Sequence, residues 1–322
     1  DLSQGEVKGD EVACPFHDWR WNGEGKCTSI PYSRRVPLRA RTATWPTMVK
    51  DGILFVWNDP EGNPPIPEQM IPDIPMVGDP EWTDWHWYKF KIEGSNCREI
   101  IDNVVDMAHF FYIHYSFPNY FKNVFEGHEA WQWMNGEGRR DADPEAVKAG
   151  GDGGFSTAST ASEAAYYGPS FMLNPMVTTY QGGYSVNSML INCHYPIDQN
   201  NFMLNYAIMV KKTDFPDADS AEDATLMLAE FIKVGFEQDV QIWANKSRID
   251  NPLLCEEDGP VYQLRRWYEQ FYTDVADITP EMTDRFEFEI DTTRPNEAWR
   301  AEVEQNIKAI LADSSSDDEV SV

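Results

Sequence analysis

Apolar and polar residues along the chain fall into two rhythms. "GILFVWNDPEG" is a short apolar run, Ile53 to Trp57, stopped by a turn at Asp59-Pro60-Glu61-Gly62, and it predicts a buried strand. Large residues alternate through "WTDWHWYKFKIEGS", which predicts a second strand. "YSVNSMLINCHYPI" and "NNFMLNYAIMVKK" read as two strands joined by a turn near Asp198-Gln199-Asn200. The helical rhythm is clearest in "NCREIIDNVVDMAHFFYIH", where Ile100, Ile101, Val104, Val105, Ala108 and Phe111 share one face, with Ser95 or Asn96 as the cap. Helices are also predicted from Ser220 through about Ile249, over 259–276, and over 296–312; residues 278–290 are mixed.

Between these segments, "NPPIPEQMIPDIPMVGDPEW" carries six prolines and predicts an extended linker, because proline fixes φ and removes donors. Residues 140–165 are rich in Gly, Ala, Asp and Ser and predict a mobile loop. "DSSSDDEVSV" is too polar and acidic to pack. The expected division is a mostly β region over 1–59, a linker over 60–80, a second domain over 81–312 and a disordered tail over 313–322. Short turns between strands and the lack of a βαβ rhythm predict an α+β class, with an antiparallel sheet flanked by helices. No internal repeat is visible.

Composition narrows the function classes. At 322 residues, 42% apolar and 13% aromatic, the chain is able to bury a sizeable core. No apolar run nears the length of a membrane span, and no basic-then-apolar start marks a signal peptide. The first residue is Asp1, from which a fragment of a longer gene product is expected. A net charge of −28 argues against nucleic acid and anionic membranes and permits a basic protein partner. Five cysteines, odd in number and widely spread, predict a reducing cytoplasm rather than a disulfide scaffold.

Two constellations carry chemistry. Asp106, His109 and His114 stand in D-x2-H-x4-H spacing. Asp106 and His109 share a helix face, whereas five residues turn a regular helix by about 140°. Both histidines therefore reach one ion only if the helix ends or bulges between them. Two imidazoles and a distant carboxylate would leave open positions on a ferrous ion for dioxygen and substrate. The chain has only six histidines, so two in one short apolar helix favour ligation over packing. The second constellation is Cys14 and His17 in "CPFHDWRW". Cys-x2-His fits half of a Rieske [2Fe–2S] centre, and it equally fits a zinc site with Cys27 as a third ligand.

Taken together, the two constellations resemble the oxygenase subunit of the Rieske non-haem iron oxygenases. The segments "DLSQGEVKGDEVACPFHDWRW", "IEGSNCREIIDNVVDMAHFFYIHY", "YFKNVFEGH", "LINCHYP", "RIDNPLLCEEDGPVYQLRRWYEQFYTDVADI" and "PEMTDRFE" are similar to the oxygenase component of 3-ketosteroid 9α-hydroxylase, over about 1–311. The resemblance implies the C-terminal part of a Rieske β domain followed by a mononuclear iron domain of helix-grip type. It implies His109, His114 and Asp239 ("FEQDVQIWANK") as iron ligands; spacing alone would not choose Asp239 over Glu237 or Glu230. It places Asp106 between that iron and the cluster of a neighbouring subunit, as a hydrogen-bonding relay in a homotrimer. Cys14 and His17 become the second half of the cluster's ligands. In the family the first Cys-x-His half lies just upstream of a "DLS" segment, so this chain is expected to be N-terminally truncated and unable to hold the cluster unaided.

The implied reaction is monooxygenation of a steroid C–H bond by O2, in steroid degradation, with electrons from an NADH-dependent flavin/iron–sulfur reductase. "YYGPSFMLNPM" and "SMLINCHYP" have the character of substrate walls. A Rieske oxygenase of another substrate class and an inactive truncated fragment are the alternatives.

Overall fold

The computed structural model describes residues 2–150 and 158–317, with side chains through 313. The chain divides into two compact units, Asp1–Pro67 and Glu68–Val322.

The first unit is built of short antiparallel strands. β1 (Glu6–Lys8), β2 (Glu11–Ala13), β3 (Arg20–Asn22) and β4 (Cys27–Ser29) form a meander, and β5 (Thr47–Lys50) pairs with β6 (Ile53–Val56). Lys50 faces Ile53 across a two-residue turn. Asp51 and Gly52 both take positive φ there, 51° and 78°, which matches the twist of a tight hairpin.

The second unit is one sheet with helices. Its strands are β7 (His86–Glu93), β8 (Ser116–Glu126), β9 (Glu129–Gly138), β10 (Ser159–Tyr167), β11 (Phe171–Thr179), β12 (Ser185–Asp198), β13 (Asn201–Val210) and β14 (Phe286–Glu289). They lie in the order β14-β8-β9-β10-β11-β12-β13-β7, and every pair is antiparallel. The predicted hairpin is present: Asp198 faces Asn201 across Gln199-Asn200. The helices are α1 (Ala108–Tyr112), α2 (Pro144–Lys148), α3 (Ala218–Trp243), α4 (Val261–Glu269), α5 (Pro280–Thr283) and α6 (Thr293–Asp317). The α+β class, with an antiparallel sheet flanked by helices, is what the strand rhythm predicted. No helix among the described residues is long and apolar enough to cross a membrane.

Several apolar cores hold the helices to the sheet; the largest seats Leu264, Trp267 and Tyr268 of α4 with Trp243 against Ile92, Phe202 and Leu204, and two others lie under α3 and α6. α3 lies on β13 and β7, where Ala229 packs with Leu190, Tyr206 and Ile208. Across the sheet's other end, α6 stacks Trp299 on Phe111 of α1, with ring centroids 4.7 Å apart and planes at 9°. Phe117, Phe121 and Met134 complete that core.

Several expectations change. The single helix over 97–114 is two pieces: a 3-10 stretch, Cys97–Val104, and then α1. Asn96 caps the first piece by accepting from the Arg98 N–H at 3.0 Å. The long helix is capped by Asp217, which accepts from the Ser220 N–H at 2.8 Å, and not by Ser220 itself. Within the loop expected over 140–165 the structure places α2 and most of β10; residues 151–157 lie outside the described residues. α6 runs on to Asp317, into the segment assigned to the acidic tail, and 318–322 lie outside the described residues. Strands β8 to β11 were not anticipated.

The break between the two helical pieces is sealed from below. Val105 is fully buried, and the backbone at Gly259 approaches it so closely that a Cβ there would lie 1.9 Å from the Val105 carbonyl oxygen. Gly259→Ala must therefore push the two segments apart. The expected cost is about 2 kcal/mol, in the range of an overpacked core. Urea unfolding should show a lower midpoint at an unchanged slope; an unchanged midpoint would mean the contact is slack.

Candidate metal centre

His109 and His114 come from the stretch where the chain leaves the helix. α1 ends at Tyr112 and Ile113 caps it, so His114 stands one step past the helix. The N–H groups of Ile113 and His114 both donate to the His109 carbonyl, at 2.8 and 3.3 Å. Tyr115 follows at a φ of 52°, rare for a non-glycine residue. The exit swings the second ring back toward the first: the imidazole centroids are 5.1 Å apart, at 78°.

Asp239 arrives from α3, on the inner face that also carries Thr225, Ala229 and Trp243. It is 8% exposed, and its Oδ2 lies 3.4 Å from His114 Nε2. One donor atom from each of His109, His114 and Asp239 lies within 4.8 Å of the others. Glu230 and Glu237 are exposed instead, and Glu230 pairs with Lys233.

Hydrogen bonds set the ring orientation. His109 Nδ1 is 2.6 Å from the Asp106 carbonyl, and His114 Nδ1 is 3.3 Å from Gln238 Oε1. The Asp106 carbonyl accepts only, so His109 Nδ1 carries a proton and its Nε2 keeps a lone pair for a cation, while His114 Nε2 faces Asp239 Oδ2, where a cation would take the place of the proton the two share. Burial holds the His109 pKa below its usual value, against the pull of Asp106 and Asp239. Burial also lowers His114, but the hydrogen bond and charge of Asp239, helped by Gln238, outweigh it and the net shift is upward. Two imidazoles and one carboxylate with an open side make a donor set suited to ferrous iron.

That open side faces a cavity of about 520 Å³, between α3 and the inner face of β9 to β12. Ile100, Val104, Met134, Leu190 and Phe236 make much of its wall apolar. Asn103, Gln132, Asn174 and Asn192 add amides. Tyr166, Met172 and Asn174, with Leu190 and Asn192, bring the two segments read as walls into this lining. The β9 residues were missed. In "EAWQWMNGEG" the inward set Ala130, Gln132 and Met134 alternates with outward tryptophans, a period-two signal that would have found them.

The other candidates lie elsewhere. Asp106 is not one of the three converging side chains. Its carboxylate is half exposed and accepts from the His109 N–H at 3.1 Å, while its carbonyl holds the ring. Cys14 and His17 lie in the first unit, on the turn between β2 and β3. The Cys14 N–H donates to the Trp19 carbonyl at 2.8 Å, and Asp18 takes a φ of 57° to close the turn. Trp19 stacks on Trp21. Cys27 is buried with its thiol toward the Ser29 carbonyl, and among the described residues no third ligand joins Cys14 and His17. A Rieske cluster takes two cysteines and two histidines. The pair fits one half of that set.

Removing the carboxylate should cost the site its cation. Asp239→Ala is expected to weaken ferrous binding to the metal-free protein by at least about tenfold, roughly the scale of one lost charge-assisted contact. Chelator-competed titration measures this; unchanged affinity would place the third donor elsewhere.

Residues 56–272 match the family model described as the 3-ketosteroid 9alpha-hydroxylase C-terminal domain, and residues 1–46 match the Rieske [2Fe-2S] domain. A 3-ketosteroid-9-alpha-monooxygenase oxygenase component of Rhodococcus rhodochrous is 63% identical over 96% of this chain and 79% of its own length. Its counterpart in Mycobacterium tuberculosis is 57% identical over 96% of this chain and 78% of its own. Dicamba monooxygenase bound to 3,6-dichlorosalicylic acid shares the fold, with a TM-score of 0.60 at 18% identity over 86% of this chain and 84% of that one. A two-histidine, one-carboxylate set on an antiparallel α+β frame, with relatives this similar over nearly the whole chain, places the protein in the family of 3-ketosteroid 9α-monooxygenase oxygenase components.

Proposed function

We propose that this protein hydroxylates a 3-ketosteroid at carbon 9, as the oxygenase component of a reductase-dependent system for steroid degradation in the cytoplasm. The observation that carries this reading is a largely apolar cavity of about 520 Å³ with His109, His114 and Asp239 set in its wall. A rigid polycyclic substrate gains from burial against such a wall, at about 25 cal/mol per Å² of apolar surface. The buried amides of Asn174 and Asn192 are polar points to which a ketone is able to hydrogen-bond. Bound by the two histidines and Asp239, ferrous iron would supply dioxygen activation, with electrons arriving from an NADH-dependent flavin/iron–sulfur reductase by way of a Rieske cluster. Steroid, O2, NADH and a proton become hydroxysteroid, water and NAD+.

The chain's own residues do the placing. The apolar wall orients one ring carbon toward the histidines and excludes water. Asp106 holds the His109 Nδ1 proton through its carbonyl, and its half-exposed carboxylate is open to a neighbouring subunit. In a homotrimer we assign it to the boundary, where it links the cluster side to the iron side.

Two measurements test this. Protein carrying a complete cluster and iron, mixed with reductase and NADH, should convert 4-androstene-3,17-dione or a steroid coenzyme A thioester to a product about 16 mass units heavier, one inserted oxygen atom. Turnover of aromatic acids with none of steroids would overturn the substrate assignment. Asp106→Asn should keep iron and cluster content while reductase-dependent turnover falls by about 100-fold, the upper range for loss of a partner that orients a ligand. Loss of iron in that variant would instead make Asp106 part of the metal site.

A further inference from the structure

The helix exit between His109 and His114 leaves a specific gap. In a continuing helix the Phe111 carbonyl would accept from the Tyr115 N–H. The chain turns away before that bond forms. Arg139, on the segment that follows β9, fills the position: its Nη1 donates to the Phe111 carbonyl at 2.9 Å, and its backbone N–H donates to the Tyr115 carbonyl at 2.8 Å. Its guanidinium also lies over the rings of Phe111 and Tyr115, 4.0 and 5.3 Å from their centroids. One residue thus grips both sides of His114, including the left-handed Tyr115.

The guanidinium is itself held. Asp141 accepts from Nε at 3.0 Å and from Nη2 at 2.7 Å, a two-point fork. The pair is buried, with side chains 7% and 3% exposed. Asn306 of α6 donates to Asp141 Oδ2 at 2.7 Å. Burial alone would raise the Asp141 carboxyl, but Arg139 and Asn306 outweigh it and hold it below its usual range.

We infer that Arg139, braced by Asp141 and Asn306, is the positioning residue that sets the helix exit and so aims His114 at the same point as His109. A buried ion pair needs a reason, since an apolar replacement is often as stable. Here the reason is geometric: only a planar, charged fork reaches a helix carbonyl while keyed to a carboxylate behind it. The Arg139 contacts have no counterpart at His109, so the ring they aim is the one past the helix end.

This inference rests on reading His109, His114 and Asp239 as the iron ligands, and the test separates the two. Metal-free protein is titrated with Fe(II) alone against a chelator, and the absorption spectrum of its Co(II) form is recorded. His109→Ala serves as the reference for the ligand set. Arg139→Lys keeps the charge and loses the fork; Asn306→Ala, at a half-buried position, removes only the outer brace. Val186→Ala, in the small core beside Val210 and Ala221, controls for lost stability. The expected result is Fe(II) affinity about tenfold weaker for Arg139→Lys and two- to threefold weaker for Asn306→Ala, the scale of a lost partner around a metal ligand. The Co(II) bands should shift in both, with neither change in Val186→Ala. If His109→Ala abolishes binding while Arg139→Lys and Asn306→Ala bind and absorb like the parent, the positioning role is wrong. The same holds if Val186→Ala loses as much affinity as they do. If His109→Ala binds Fe(II) normally, the ligand reading itself fails.

Discussion

Two histidines five residues apart cannot point at one ion from a regular helix, and the second unit is organised around breaking that helix in the right place. The break must be rigid, because a ring that wanders holds no cation. Its upstream side is fixed by charge. Asp102 accepts from Lys246 at 2.8 Å and from Arg265 at 3.2 and 2.8 Å, and Glu99 lies 3.0 Å from Lys246. Burial would raise the Asp102 pKa, but Arg265 and Lys246 together bring it below its usual range. Partly buried charges cost several kcal/mol unless matched, and here Lys246, Arg248 and Arg265 share Asp102 and Glu99. The same contacts join the 3-10 stretch to α4 and to the chain just past α3, while Trp243 Nε1 faces Asn103 Oδ1 at 3.4 Å. The helix that carries Asp239 and the segment that carries the histidines are thereby held in one register.

The sheet provides the other half of the site. Antiparallel strands send alternate side chains to the inner face, so each of β9 to β12 contributes residues at every second position. Most are apolar. Among the amides that are exceptions, Gln132 donates to the Val104 carbonyl at 2.8 Å and Asn174 accepts from Ser162 at 2.8 Å, whereas the buried Asn192 Oδ1 has no partner among the described residues. Gln132 thus ties the cavity floor to the carbonyl that ends the 3-10 stretch, and a buried amide is tolerated because it is bonded. A wall this well fixed suits a rigid substrate better than a flexible one.

Legibility in the sequence followed the range of the interactions. The β12–β13 hairpin was readable because a period-two rhythm flanks turn residues at Asp198, Gln199 and Asn200. α3 was readable as a helix, although its cap was misplaced by three residues: Asp217 and Ser220 are both capping types, and local chemistry does not rank them. Strands β8, β9 and β11 were overlooked because they carry Gly, Asn or Pro in their interiors, and β10 because its Ser- and Ala-rich sequence has low strand propensity; only their neighbours in the sheet keep them extended. The 3-10 stretch has the apolar face of an α-helix, and its tighter winding is imposed by what packs on it.

For the site, the sequence determined the pair of histidines and the condition they must meet, since spacing and helical geometry are local properties. For Cys14 and His17 the spacing left a cluster and a zinc site equally open, and only the family resemblance chose the cluster. Which acid completes the three was not local. Glu230, Glu237 and Asp239 all ride one helix, and only Asp239 points inward once α3 is laid on β13 and β7. Arg139 was invisible for a stricter reason: its partners at the helix exit are backbone carbonyls, which every residue possesses and no side-chain pattern marks. Tertiary structure decided both because each depends on the rotation of one element against another, and that rotation is fixed by packing among residues far apart in the chain.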